Sequence, residues 1–249
     1  MPPISTARAA CGKAALVTGA SSGIGLGLAR MLGQEGFALT ISGRRQAKLA
    51  EAAVDLRREG FTVAEYAFDL AETQAATDLV TAHRERYGRL DVLVNNAGLG
   101  IVAPLDASET RHIDLQLDVN LRSVITVFRE AVDLLVTAGN EPNGALVINV
   151  ASIAGKEGQP LLGAYSAAKA GVVGFTQSMN REFGPRGVKC CAFCPGYVDT
   201  PLAEAVRHRV APEEMILVDD LAEVGRCLLR LSRQCVIPEI MFVRPGLVE

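Results

Sequence analysis

The sequence predicts a doubly wound α/β domain on a parallel sheet of seven strands, and three observations carry that expectation. Short runs rich in Ala, Val, Leu and Ile alternate with longer stretches of helical apolar periodicity along the whole chain. Several of the short runs are apolar almost throughout, Ala145-Leu-Val-Ile-Asn-Val150 among them, as strands covered on both faces require. Gly36, Gly60, Gly88, Gly139 and Gly184 close the first five helical stretches, where a left-handed residue ends a helix.

In chain order, the strands are expected at 14–17, 38–41, 63–68, 91–94, 145–150, 188–193 and 240–243. The helices between them are expected at 24–35, 46–58, 73–87, 109–138, 164–183 and 219–231. No composition shift or low-complexity linker divides this alternation, so it reads as one domain over 13–249, with a substrate lid around 200–215. Residues 1–12 read as a flexible leader, because Ser5, Thr6 and Arg8 interrupt any secretory apolar segment.

The 249 residues are 49% hydrophobic and 21% charged, the balance of a globular chain with a substantial core. A net charge of −3 offers no basic footprint for nucleic acid or an anionic membrane. No apolar run approaches the ~18–20 residues that span a bilayer. A cytoplasmic location is expected, where the six cysteines remain reduced.

Ligands on such sheets bind at the carboxyl ends of the strands, so the residues after each strand carry the functional information. The first strand runs into Thr18-Gly19-Ala20-Ser21-Ser22-Gly23-Ile24-Gly25 and then a helix. These glycines let the backbone approach a pyrophosphate at the positive end of that helix. After the second strand, Ser42-Gly43-Arg44-Arg45 offers no carboxylate for a ribose 2′-hydroxyl but two guanidiniums for a 2′-phosphate, which favours NADP(H). Asp69-Leu70 ends the third strand; Asp69 is open to two roles, an adenine contact or a helix cap. Asn95-Asn96-Ala97-Gly98 makes a small polar turn after the fourth. Ser152 follows the fifth strand, and Tyr165 and Lys169 share one helix face at i and i+4. There an ammonium stabilises phenolate and lowers the tyrosine pKa, fitting the pair to exchange a proton with a carbonyl or alcohol oxygen.

Together these motifs resemble the short-chain dehydrogenase/reductase family from Lys13 to about Thr200: T-G-A-S-S-G-I-G, N-N-A-G, Asn120, Ser152, Y-S-A-A-K, and Pro195-Gly196 before Thr200. The resemblance implies Tyr165 as acid/base, Ser152 as the hydroxyl that orients and polarises the carbonyl, and Lys169 as the group that lowers the tyrosine pKa and binds the nicotinamide ribose. It implies that Asn120 holds a water linking Lys169 to solvent. Cofactor contacts are implied at Gly19, Ser21, Ser22, Gly23, Ile24, Gly25, Arg44, Arg45, Asp69, Leu70, Asn96, Ala97, Gly98, Pro195, Gly196, Val198 and Thr200. Ile153, Gln159, Leu161, Leu162 and Tyr197 are the substrate-side candidates.

The implied activity is hydride transfer between NADP(H) and a small-molecule carbonyl or secondary alcohol. A non-catalytic NADP(H)-binding sensor or scaffold is one alternative, and an epimerase or dehydratase using the same tyrosine is another. The helices at 109–138 and 164–183 resemble those through which family members form homodimers and homotetramers. Two departures stand out. Cys191-Ala-Phe-Cys194 spells C-x-x-C, but on a strand these side chains point to opposite faces with Cα atoms about 10 Å apart, beyond disulfide reach; no metal is expected. After the last strand the chain also reads Arg244-Pro245-Gly246 where the family frequently has Asp-Gly-Gly, which resembles the members whose last strand runs into Arg-Pro.

Overall fold

The computed structural model describes residues 12–207 and 210–246. The leader expected over 1–12, Cys11 included, lies almost wholly outside the described residues, as do His208 and Arg209 of the expected lid. Seven strands form one parallel sheet: β1 (Ala14–Val17), β2 (Ala38–Gly43), β3 (Val63–Ala67), β4 (Val92–Asn95), β5 (Ala145–Val150), β6 (Val188–Pro195) and β7 (Glu239–Phe242). Their order is β3-β2-β1-β4-β5-β6-β7, so the chain reverses direction across the sheet between β1 and β4. A crevice opens at such a switch point.

Alternation along each strand builds two separate cores. Ala15, Val17, Val92, Val94, Leu146 and Ile148 face α1 (Gly23–Gln34), α2 (Gln46–Arg58) and a C-terminal helix over Val218–Arg230. Leu16, Leu93 and Val147 face α3 (Ala75–Tyr87) and the helix over Ser123–Ala138. Among the described residues no helix is long and apolar enough to cross a membrane.

The helix expected over 109–138 is interrupted. It runs as α4 (Thr110–Leu117), a π-helical turn over Asp118–Arg122, and α5 (Ser123–Ala138). The wide turn sets the Asn120 side chain inward, where it is fully buried. The remaining helices are α6 (Gly163–Phe183) and α7 (Val218–Arg230).

Gly36, Gly60 and Gly88 are left-handed as expected, but Gly139 and Gly184 have φ of −59° and −55°. Gly139 is glycine for a different reason: a Cβ there would collide with the Arg186 carbonyl, and one on Gly187 would collide with Gly139. Two backbones touch at that point.

One polar chain crosses the interior. Asn95 Nδ2 donates to Asn149 Oδ1 at 2.9 Å, and Asn149 Nδ2 donates to Thr176 Oγ1 at 2.9 Å. The Thr176 hydroxyl donates to the Val172 carbonyl at 2.7 Å, linking β4, β5 and α6 beside the carboxyl edge. Asn149→Ala leaves both neighbours unsatisfied in the core. It is expected to cost about 2 kcal/mol and lower the melting temperature by roughly 4–8 °C, read by thermal denaturation; an unchanged Tm contradicts the linkage.

Candidate active site

Glycine brings two backbones together at the mouth of the crevice. Gly19 has φ +64°, and a Cβ there would fall 2.8 Å from Ala97 Cα. Asn96 fastens the turn, its Nδ2 donating to the Thr18 and Gly19 carbonyls at 3.1 and 3.0 Å. The main-chain N–H groups of Asn96 and Ala97 both donate to Thr18 Oγ1, at 3.0 and 3.1 Å. Ser22 enters α1 with extended backbone and no side-chain cap, and no acid occupies the first turn. The helix therefore presents uncapped N–H groups and an unneutralised positive end to the crevice.

The crevice encloses about 450 Å³. Its walls hold Gly19, Ser21, Ser22, Gly23 and Ile24 from the turn, Arg44 and Arg45 after β2, Asp69 and Leu70 after β3, Asn96, Ala97 and Gly98 after β4, and Thr200. Gly25 stands behind this wall, its Cα packed so closely that a Cβ would fall 2.5 Å from the Gly19 carbonyl oxygen. Lys48, one helical turn beyond Arg44, also lines it; the i, i+4 spacing was the signal that could have found it. Arg44, Arg45 and Lys48 are all exposed, and none forms an ion pair among the described residues. Ser42 Oγ, in the same wall, is buried without a hydrogen-bond partner. Asp69 Oδ1 accepts from the Ala71 N–H at 3.0 Å, so one carboxylate oxygen serves the turn. Close backbone, an open helix end, an orphaned hydroxyl and three unpaired cations fit a dinucleotide carrying a 2′-phosphate.

The inner wall at Gly98 abuts the second cluster. A Cβ on Gly98 would lie 2.9 Å from Asn120 Oδ1 and 3.5 Å from Lys169 Nζ. Asn120 Nδ2 donates to the Leu99 and Gln116 carbonyls at 2.8 and 2.9 Å, while its Oδ1 accepts from Leu99 N–H at 3.0 Å. This side chain is spent on shaping the Gly98-Leu99 loop. The buried Lys169 donates to the Val150 carbonyl at 2.7 Å, and its Nζ stands 5.7 Å from the Tyr165 ring centroid.

Ser152 pulls the Tyr165 pKa downward, and its Oγ donates to the Pro195 carbonyl at 3.4 Å. The turn after Ser152 packs on α6 because Gly155 lacks a side chain; a Cβ there would fall 2.6 Å from the Lys169 carbonyl carbon.

The electrostatics depart from the sequence reading. Burial pushes the Tyr165 hydroxyl above its usual 10.0 and outweighs the opposing pull of Ser152, so the net direction is upward. Burial brings Lys169 itself down from 10.5 to about 8. The ammonium directs its hydrogen bond to a carbonyl on β5, so the i, i+4 spacing brings it beside the ring without a phenol contact. Cys190 and Cys191 are pushed up to about 12 and Cys194 to about 11, chiefly by burial, which holds them as packed thiols.

The substrate-side candidates divide. Ile153 Cδ1 lies 3.4 Å from where a Gly196 Cβ would stand, facing the carboxyl edge beside Ser152. Leu161 is exposed at φ +66°, a strained conformation for a leucine, and its carbonyl accepts from Ala103 N–H at 3.0 Å. Leu162 is half-buried at the start of α6. Gln159 turns its amide to the Glu157 carbonyl at 3.3 Å, a local contact. Tyr197 packs with Ala203, Val210 and Met215 of the expected lid. Val198 sits in the core and bridges Ile216, so only its main chain is available to a ligand. Arg207 is taken up by Asp199 at 3.0 Å and Glu204 at 3.2 Å.

The sequence model of the short chain dehydrogenase family matches residues 13–211. The chain is 40% identical over 221 residues, 85% of its length and 82% of the relative's, to a candidate ketoacyl reductase of the monensin polyketide synthase from Streptomyces virginiae. It is 34% identical over 234 residues, 94% of its length and 86% of the relative's, to D-beta-hydroxybutyrate dehydrogenase from Cupriavidus necator. Among solved structures, a single-substitution variant of the actinorhodin polyketide ketoreductase with NADPH superposes with a TM-score of 0.86 at 32% identity, covering 94% of this chain and 97% of that one.

The three cations set a direct test. Arg44→Ala is expected to weaken adenosine 2′,5′-bisphosphate about tenfold or more, the worth of one charge-assisted hydrogen bond, while leaving 5′-AMP affinity close to wild type. Titration calorimetry checks it, and equal losses for both ligands would remove the 2′-phosphate assignment.

Proposed function

From the premise that the chain belongs to the short-chain dehydrogenase family, we propose that it is an NADP(H)-dependent carbonyl reductase and alcohol dehydrogenase whose chemistry runs through Tyr165. The observation that carries this reading is the meeting of two clusters at Gly98: this wall residue of a crevice suited to a 2′-phosphorylated dinucleotide abuts Lys169 Nζ, which stands beside the Tyr165 ring. NADP(H)-bound relatives of the same fold support the cofactor.

Bound NADP(H) supplies or accepts the hydride. The α1 N-terminus and the glycine turn hold the pyrophosphate, and Arg44, Arg45 and Lys48 hold the 2′-phosphate. Ser152 orients the substrate oxygen and donates a hydrogen bond to it. In reduction, Tyr165 gives its phenolic proton to that oxygen as the carbon gains hydride; in oxidation, the phenolate takes the proton back. Lys169 presents a charge close to the developing phenolate, and Asn120 positions the Gly98-Leu99 loop against that charge. We place the subunit contacts of a homodimer or homotetramer on the outward faces of α5 and α6, where Ile125 is exposed. The cytosol suits the free thiols of Cys190, Cys191, Cys194, Cys227 and Cys235.

The pKa directions fix the sign of the pH response. A tyrosine pushed above 10.0 stays protonated through neutral pH, ready as an acid for reduction but scarce as a base for oxidation. Lys169 loses its charge as pH rises through about 8, withdrawing support from the phenolate that forms during reduction. Reductive kcat/KM is expected to be flat below that point and to fall above it, while the oxidative rate climbs with pH. Tyr165→Phe is expected to abolish turnover of a ketone panel and keep NADPH affinity; activity surviving in that variant refutes the assignment.

A further inference from the structure

Arg244 follows β7 at the carboxyl edge of the sheet, the edge that also carries Ser152. Its side chain is only 19% exposed, and its Nε is buried with no hydrogen-bond partner. The guanidinium carbon stands 5.9 Å from the ring centroid of Tyr197. Its ion-pair partner among the described residues is Glu214, with Nη1 to Oε2 at 3.8 Å, beyond hydrogen-bond distance; that carboxylate is itself 62% exposed and remains hydrated. A covered guanidinium with unmet donors is costly, and the cost is recovered only when an anion arrives.

The register of β6 and β7 sets Arg244 and Ser152 on one edge of the sheet. Ser152 Oγ lies 3.4 Å from the Pro195 carbonyl, and Gly196 N–H donates to the Phe242 carbonyl at 2.9 Å. Tyr197, beneath the guanidinium, is two residues beyond Pro195, roughly 7 Å of extended chain. Phe242 is the β7 partner of Pro195, so Arg244, two residues further on, leaves the sheet at the same edge as the Ser152 turn.

We infer that Arg244 is the anion site of the substrate compartment and that the substrate is an oxo acid, or the corresponding hydroxy acid, whose carboxylate pairs with the Arg244 guanidinium. Tyr197 and Glu214 orient the planar fork from its other sides, and a planar carboxylate matches it in a bidentate pair. The inference rests on the reductase reading above and names its substrate class.

The test pairs 3-oxobutanoate, 4-oxopentanoate, 5-oxohexanoate and 6-oxoheptanoate with their methyl esters in NADPH oxidation, using wild type, Arg244→Leu and Arg244→Lys. Wild type is expected to prefer the acid over its ester by about tenfold or more at one chain length, through KM. The preference is expected to collapse toward unity in Arg244→Leu and to persist in part in Arg244→Lys, with NADPH affinity confirming that both variants fold. Equal use of acids and esters by wild type overturns the inference. So does a uniform loss on both in Arg244→Leu, which would make Arg244 a strut between Tyr197 and the Pro212–Glu214 turn. Calorimetry with 5-oxohexanoate in the presence of NADP+ separates the two readings. Absent turnover of every ketone refutes the reductase, whereas carboxylate binding that Arg244→Leu does not weaken refutes the anion site.

Discussion

A single hydrogen bond, from the buried Lys169 ammonium to the Val150 carbonyl, organises the chemical half of the molecule. It ties α6 to the end of β5, the strand that delivers Ser152, and so fixes the separation between the helix bearing Tyr165 and the turn bearing the serine. The surroundings are cut to fit it. Gly155 exists so that the Ser152 turn can lie on the backbone of Lys169, and Gly98 exists so that the cofactor loop can pass Lys169 Nζ and Asn120 Oδ1. Burying an ammonium against one neutral carbonyl leaves much of its hydration uncompensated, and the fall of its pKa to about 8 expresses that deficit.

The same burial acts with opposite sign on the neighbour. Desolvation disfavours whichever form is charged, so it drives the phenol up and the ammonium down, pulling their protonation preferences in opposite directions. A proton donor that holds its proton through neutral pH stands beside a cation close to losing its charge. The i, i+4 spacing of Tyr165 and Lys169 predicted a direct electrostatic pull, because sequence spacing gives proximity without giving depth. Depth comes from α6 lying against β5 and β6, a tertiary fact.

That contrast explains which features were legible. The parallel sheet, its seven strands and the crevice at the reversal follow from local signals: apolar runs, glycines and the residues after each strand. The phosphate half is made largely of backbone, and glycine spacing reports backbone directly. The π turn at Asp118–Arg122 left no such mark, since apolar periodicity continues across it. It coincides with a long-range contact, the Leu99 backbone holding both ends of the Asn120 amide from 21 residues upstream. Gly139 misled in a related way: a glycine at a helix end suggests a left-handed cap, yet this one makes room for the chain at Arg186 and Gly187.

The Arg244 cluster is built from side chains on three separated segments, and there sequence spacing loses its force. Tyr197 comes from just beyond β6, Glu214 from the Pro212–Glu214 turn, and Arg244 from beyond β7, so only the completed sheet brings them together. Within one fold, then, the cofactor is recognised by what the backbone must do, which varies little with side chains. The proposed substrate site depends instead on three side chains that single sequence changes can replace. Among the described residues the Asn96 tether that fastens the phosphate turn shares no hydrogen bond with the Arg244 cluster, so a change at the proposed substrate site need not disturb the phosphate turn.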